Sequence, residues 1–406
     1  MKTVKTLFFV LLVVLSCGGL SAADKLWGFP KPYVLVTAEP DAHFKDAANP
    51  VTAAGLEAYA DALLAGGKVT HVFWYLSAAL REKFTAAGVD AYKVLIERTQ
   101  AKGAEAWVSI RLSEVLGPAP EYWREKVRAE LQKAVVAIAK AYPNADGYEL
   151  DFLNGLKGFS AVAPEGEKPF NLYDAARHYG SLRVRFIEST RKREPAIAFR
   201  IPADDAACDS LGLHHGTGGV GATLFLPCLT AEQAKTRAFC ASDWHELDRV
   251  GVRILPGIPL GSLTKEEVSG WASSMRGWGF PGIVFTNVGE APKDVRQAVC
   301  ADGLADWNKT LSSARKIVVG APLCDGTYEF ALQEGTSVKK PVQVTVRGEK
   351  ATAGEALLNG HRAQSSAKNG AAVTYSFAPD SVIARRNYLR LPAPAEGPVE
   401  IVFAAE

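Results

Sequence analysis

The chain carries almost no surplus charge: 46 lysines and arginines stand against 44 acids over 406 residues. No consecutive basic block offsets that balance, which argues against nucleic acid as a partner. Beyond residue 23 no apolar run is long enough to cross a bilayer, so no transmembrane segment is expected. Cysteine is scarce, and the spacing of Cys208, Cys228, Cys240, Cys300 and Cys324 fits no zinc pattern. No glycine-rich phosphate loop follows the first strand-like run, which removes the usual signal of a dinucleotide-binding open sheet. Nothing in these features calls for a cofactor or a metal.

What is present begins with a leader. Lys2 and Lys5 precede an apolar core over residues 7–15 and the small residues Ser21-Ala22-Ala23, the pattern of a secretory signal peptide at 1–23. Its removal takes two lysines and no acids, leaving 44 of each sign, and implies a secreted or periplasmic protein. Lipid anchoring through Cys17 is the minor alternative, because Val14-Leu15-Ser16-Cys17 is a poor lipobox. The five remaining cysteines are an odd number, so an oxidising compartment permits one or two disulfides and leaves at least one free thiol.

From residue 33 to 287, short apolar runs alternate with longer helical patterns, the signature of successive βα units. The runs cover 33–37, 69–75, 105–111, 147–152, 196–201, 221–226, 252–255 and 282–287. Eight such units predict an α/β protein built on a (β/α)8 TIM barrel over residues 24–318. Helices are expected where Trp123, Val127, Leu131, Val135 and Ile138 recur at helical spacing, over 171–191, and over 264–278 behind a Thr264 cap. From residue 319 the pattern becomes short alternating runs with Asn359-Gly360 and Asn369-Gly370 turns, predicting a small all-β sandwich over 319–406. At under ~90 residues its core is modest, so it is expected to gain stability by docking on the barrel. It contains no chemical constellation, so a structural or accessory role is expected, with carbohydrate binding as the weaker alternative.

The run Gly147-Tyr148-Glu149-Leu150-Asp151-Phe152 is the organising stretch. Residues two apart on a strand share a face, so Glu149 and Asp151 point one way together. The same parity turns Ser109 and Arg111 inward on the third strand and Arg200 inward on the fifth, placing an arginine on each side of the acids. A buried carboxylate needs such partners, which also keep it ionised. Glu114 after the third strand and Asp204 with Asp205 after the fifth add acids at the barrel end where active sites lie. Paired carboxylates suit glycoside hydrolysis, roughly 5 Å apart for retention and 6.5–9.5 Å for inversion. Asp151 is the first candidate for nucleophile or base, with Glu149, Glu114, Asp204 or Asp205 as its partner. Trp74, Tyr75 and Phe159 are candidates to stack on sugar rings, with core packing as the other reading. His214 and His215 are candidates to bond sugar hydroxyls, with loop solvation as the other reading.

The succession of Val94-Leu95-Ile96-Glu97-Arg98, Ala106-Trp107-Val108-Ser109-Ile110-Arg111, the 147–152 run and Phe199-Arg200-Ile201-Pro202 resembles secreted bacterial TIM-barrel glycosyl hydrolases of the family-10-like group. That resemblance spans most of residues 30–310 and implies a carbohydrate substrate, with carry-over to Asp151, Glu149 and Arg111. Relatives carry Asn-Asp after the third strand where this chain has Ser113-Glu114. The departure favours the alternative, a non-catalytic carbohydrate-binding or cell-surface scaffold with a degenerate barrel site.

Overall fold

The computed structural model describes residues 33–117, 124–153, 172–190, 196–203, 224–236, 253–261, 263–277, 282–302, 316–319, 326–332, 338–347, 353–382, 385–393, 395 and 399–402. The leader, Phe159, Asp204, Asp205, His214, His215, Cys208, Cys240 and Cys324 lie outside them.

A closed parallel barrel forms from β1 (Tyr33–Ala38), β2 (His71–Trp74), β3 (Glu105–Arg111), β4 (Gly147–Asp151), β5 (Ala196–Pro202), β6 (Leu224–Cys228), β7 (Arg253–Ile254), β8 (Gly257–Pro259) and β9 (Gly282–Thr286). Neighbours pair in chain order from β1 to β6, and β9 returns to β1, so the sheet closes on itself. β7 and β8 share the seventh position, and the strand is interrupted at Leu255-Pro256. The expected eight-unit barrel is therefore present, with its seventh strand in two pieces. Proline has no N–H to give the ladder, yet the Pro256 carbonyl still accepts from Val284 N–H at 2.9 Å.

The pleat sorts the side chains. Leu35, Phe73, Trp107, Leu224, Leu255 and Val284 fill the barrel interior as one cluster. The alternate residues, among them Val108, Ile110, Ile197, Phe199 and Ile201, pack outward in the larger core. β4 opens on Gly147 because a Cβ there would sit 2.4 Å from the Trp107 ring. Tyr148 points outward, with its hydroxyl donating to the Tyr142 carbonyl at 2.8 Å.

The helices include α1 (Ala53–Leu64), α2 (Ala78–Ala86), α3 (Ala91–Ala101), α4 (Leu112–Leu116), α5 (Glu125–Ala141), α6 (Leu172–Thr190), α7 (Ala231–Thr236), α8 (Lys265–Gly277) and α9 (Lys293–Cys300). Thr264 caps α8 as expected: Thr264 N–H donates to Glu267 Oε2 at 2.7 Å while Glu267 N–H donates to Thr264 Oγ1 at 3.3 Å, a reciprocal capping box. None of the described helices is long and apolar enough to cross a membrane. Cys228 and Cys300 are buried free thiols.

After the barrel come two antiparallel sheets. β10 (Lys316–Val319), β12 (Val342–Arg347), β15 (Ser365–Asn369), β16 (Ala372–Phe377) and β18 (Val399–Val402) form one, in the order β10-β18-β12-β16-β15. β11 (Thr327–Leu332), β13 (Leu357–Leu358), β14 (His361–Arg362) and β17 (Arg385–Arg390) form the other, in the order β11-β17-β13-β14. The Asn359-Gly360 turn joins β13 to β14 with φ of 50° and 84°, the left-handed pair that a two-residue hairpin demands. Helix α8 of the barrel packs against β10 and β11. A single hydrophobic core runs from the barrel's outer layer into the sandwich.

Candidate active site

The C-terminal ends of β1 to β5 bring five charged side chains into one file. Asp151 ends β4, with Arg111 beside it in register on β3 and Arg200 on β5. Asp151 Oδ2 lies 3.3 Å from Arg200 Nη1 and 3.5 Å from Arg111 Nε, while Oδ1 accepts the Leu153 N–H at 2.8 Å. Parity placed an arginine on each side of Asp151, and the structure does the same. Arg111 turns its Nη2 to Glu39 Oε1 at 2.8 Å. Arg200 turns its Nε to Glu149 Oε1 at 3.1 Å. The file reads Glu39, Arg111, Asp151, Arg200, Glu149, with the sign of charge alternating along it.

Depth separates these groups. Glu149 is fully buried and Asp151 is 1% exposed, whereas the Glu39 and Arg111 side chains are 28% and 22% exposed. Burial pushes the Glu149 carboxyl above the ordinary carboxylate range, Arg200 pulls it back, and Asp151 pushes it up again. Burial opposes the charge on Arg200, but Glu149 and Asp151 outweigh it and hold the guanidinium above its ordinary value. Arg111 behaves alike: burial works against its charge, and Glu39 and Asp151 prevail. Desolvated ions of opposite sign hold one another in place, and removing one strands its partner.

Glu39 was not among the residues expected at the site. It lies one residue past β1, in step with Leu35 and Thr37, so the parity that found Arg111 and Arg200 would have turned it toward the mouth as well.

No protein-family model matches the chain, and no curated protein does. Among solved structures it is similar to a noncanonic maltogenic alpha-amylase AmyB from Thermotoga neapolitana, at 9% identity and a TM-score of 0.44 over 92% of this chain and 98% of that one. It is also similar to an alpha-amylase from H. orenii, at 12% identity and 0.42 over 89% and 99% of the two chains. A trimodular GH5_4 subfamily endoglucanase matches at 8% identity and 0.44 over 89% and 74%. The barrel itself rests on the strand register given above, independently of these likenesses.

The other expected residues divide. Tyr75 stands at the mouth, but one face of its ring is covered by Arg111, whose Cζ lies 3.8 Å from the ring centroid. Burial pushes the Tyr75 phenol up to about 12, with Arg111 opposing. Trp74 is a correction: it faces outward, is fully buried, and donates its indole N–H to Thr99 Oγ1 at 3.0 Å, so it is core and offers no platform to a sugar. Glu114 accepts the Ala78 N–H and lies 3.5 Å from Arg81 Nη2, which makes it an acceptor at the start of α2. Asp41 is likewise engaged, accepting from the Ser77 hydroxyl.

The geometry therefore offers one arginine-clamped carboxylate at the strand ends and a second, more exposed carboxylate across Arg111. One guanidinium bridges the two, with Glu39 Oε1 2.8 Å from its Nη2 and Asp151 Oδ2 3.5 Å from its Nε.

Proposed function

We propose that this chain is a glycoside hydrolase acting on a poly- or oligosaccharide at the C-terminal mouth of its barrel. The observation that carries the reading is the pair Asp151 and Glu39, held on opposite sides of Arg111. Asp151, clamped between two arginines, serves as nucleophile or base. Glu39, on the exposed side, serves as the general acid. Arg111 and Arg200 fix the charge of the site and do not leave it during turnover. Export through the leader at 1–23, a catalytic unit over 24–318 and an accessory sandwich over 319–406 belong to the same proposal.

The test is a polysaccharide panel with product analysis on the purified protein. Asp151→Asn and Glu39→Gln are each expected to lower kcat by roughly 10²- to 10⁴-fold, the usual worth of an acid–base group, with circular dichroism unchanged. Full activity in Asp151→Asn would overturn the assignment. One observation favours a second reading, a non-catalytic carbohydrate-binding scaffold: both Asp151 oxygens are already occupied by protein donors and the side chain is 1% exposed. Retention on a polysaccharide without any product from the wild-type protein is the outcome that reading expects.

A further inference from the structure

Inside the barrel, two residues below Asp151 on the same strand, Glu149 occupies a layer otherwise filled by side chains such as Phe73, Trp107 and Leu224. Packing alone does not account for a carboxyl there. Replacing a buried ion pair with apolar side chains of similar volume is often neutral or stabilising, so an apolar side chain would fill this depth as well. The polar atoms around Glu149 are also poorly satisfied. Both Glu149 oxygens, Ser109 Oγ, and Arg200 Nε and Nη2 are buried without a hydrogen bond of good geometry. Beside the Ser109 hydroxyl, Glu149 makes an ionic contact: Glu149 Oε1 to Arg200 Nε at 3.1 Å, while the same guanidinium presents Nη1 to Asp151 at 3.3 Å.

We propose that Glu149 is a positioning residue: it holds the inner edge of Arg200 and thereby fixes the outer edge that Arg200 offers to Asp151, without reaching the substrate. The register supports this division of labour, because Ser109 and Ala198, the partners of Glu149 on β3 and β5, are both small. They leave the guanidinium in direct contact with both carboxylates, placed to carry an effect from Glu149 outward. The charged and titratable groups facing Glu149 are Arg200 on β5, Asp151 on β4, Glu39 beyond β1 and Cys228 on β6, with the Ser109 hydroxyl on β3.

The proposal rests on the hydrolytic reading of Asp151, and its test separates the two. Glu149→Gln keeps the shape and removes the charge. On a polysaccharide the wild type cleaves, kcat is expected to fall by roughly 10- to 100-fold, the order a small misplacement at a reacting centre produces, with KM little changed. Glu149 is the group whose carboxyl burial holds above the ordinary range, and a glutamine cannot titrate there, so the shape of the kcat/KM–pH profile is expected to change. Glu149→Asp is expected to recover part of the loss. A role confined to packing would instead shift Tm and leave kcat and the pH profile as they were. The Arg200 Nε–H resonance, expected to shift in Glu149→Gln, requires no turnover. If the wild type cleaves nothing, the hydrolase reading fails and this resonance alone decides the role of Glu149. An unchanged kcat on a cleaved substrate, or an Arg200 resonance identical to wild type, overturns the proposal. Should Glu149→Gln not fold, Arg200→Lys keeps the charge but cannot span both carboxylates. The same fall in kcat is expected from it, and undiminished kcat overturns the proposal.

Discussion

At the scale of single residues, an acid at a strand end has more than one use. Glu114 follows β3 as a catalytic acid would, yet its carboxylate is spent on the first N–H of α2 and on Arg81. Glu114→Ala is expected to lower stability by about 1 kcal/mol, the usual worth of a side-chain acceptor at a helix start. Urea unfolding checks this, with turnover expected to stay within a few-fold of wild type. Parity resolved Arg111 and Arg200 because β3 and β5 alternate clearly enough to mark their faces. It said nothing about Trp74, because His71-Val72-Phe73-Trp74-Tyr75-Leu76 is apolar or aromatic on both faces, as a strand covered on both sides tends to be. The bond from Glu114 to Ala78 spans 36 residues, and no local pattern announces such a pairing. Glu39 escaped because it lies past the apolar run that defines β1, where alternation ends and a loop begins.

At the scale of elements, α5 and α6 pack together through a buried histidine. His178 is 6% exposed, with Gln132 Nε2 at 3.5 Å from its Nδ1. Burial, reinforced by Arg128, pushes its imidazole from 6.5 down to about 3. The folded value lies below the unfolded one, so this group's contribution is fully present above about pH 6.5 and is lost as pH falls toward 3, while the unfolded chain alone takes up the proton. Urea midpoints at pH 7 and pH 4 are expected to differ more for wild type than for His178→Gln. β4 gives a second element-level prediction. Gly147→Ala drives a methyl into the Trp107 ring inside a filled barrel, and overpacking of that kind costs roughly 1–3 kcal/mol. A lower urea midpoint with an unchanged slope is expected. Strands with an apolar face stood out in the sequence, whereas β15 did not. Its Ser365-Ser366-Ala367-Lys368-Asn369 is exposed along its whole length and is a strand only because β16 pairs with it.

At the scale of the whole molecule, the barrel and the sandwich share an apolar boundary. With α8 against β10 and β11 and one core continuous across them, the full chain is expected to melt in a single transition. Truncation at Val319 is expected to lower Tm, by roughly 2–4 °C for each kcal/mol of docking energy removed. Two separate transitions in the full chain, or an unchanged Tm after truncation, would show that the sandwich only rides along. The change of pattern near residue 319 was plain in the sequence because the period of apolar residues shifts there from helical to alternating. Docking was expected from the modest core of so small a sandwich, but the surfaces that meet were not legible, because they are ordinary apolar faces of a helix and a strand.

The interruption at Leu255-Pro256 makes one sector of the cylinder unlike the rest. β7 meets β6 through two register pairs and β8 meets it through one, Cys228 with Gly257, where a Cβ on Gly257 would fall 2.4 Å from the Cys228 sulfur. Pro256 donates no rung, so this seam has fewer amides guarding it than the continuous seam between β3 and β4, which pairs five residues in succession. Deuterium uptake should therefore begin here, with amides around 253–259 exchanging ahead of those in 147–151. The charged file lies on β4, β5 and their neighbours toward β1, so the carboxylates and arginines are expected to keep their place while exchange begins along the seventh strand.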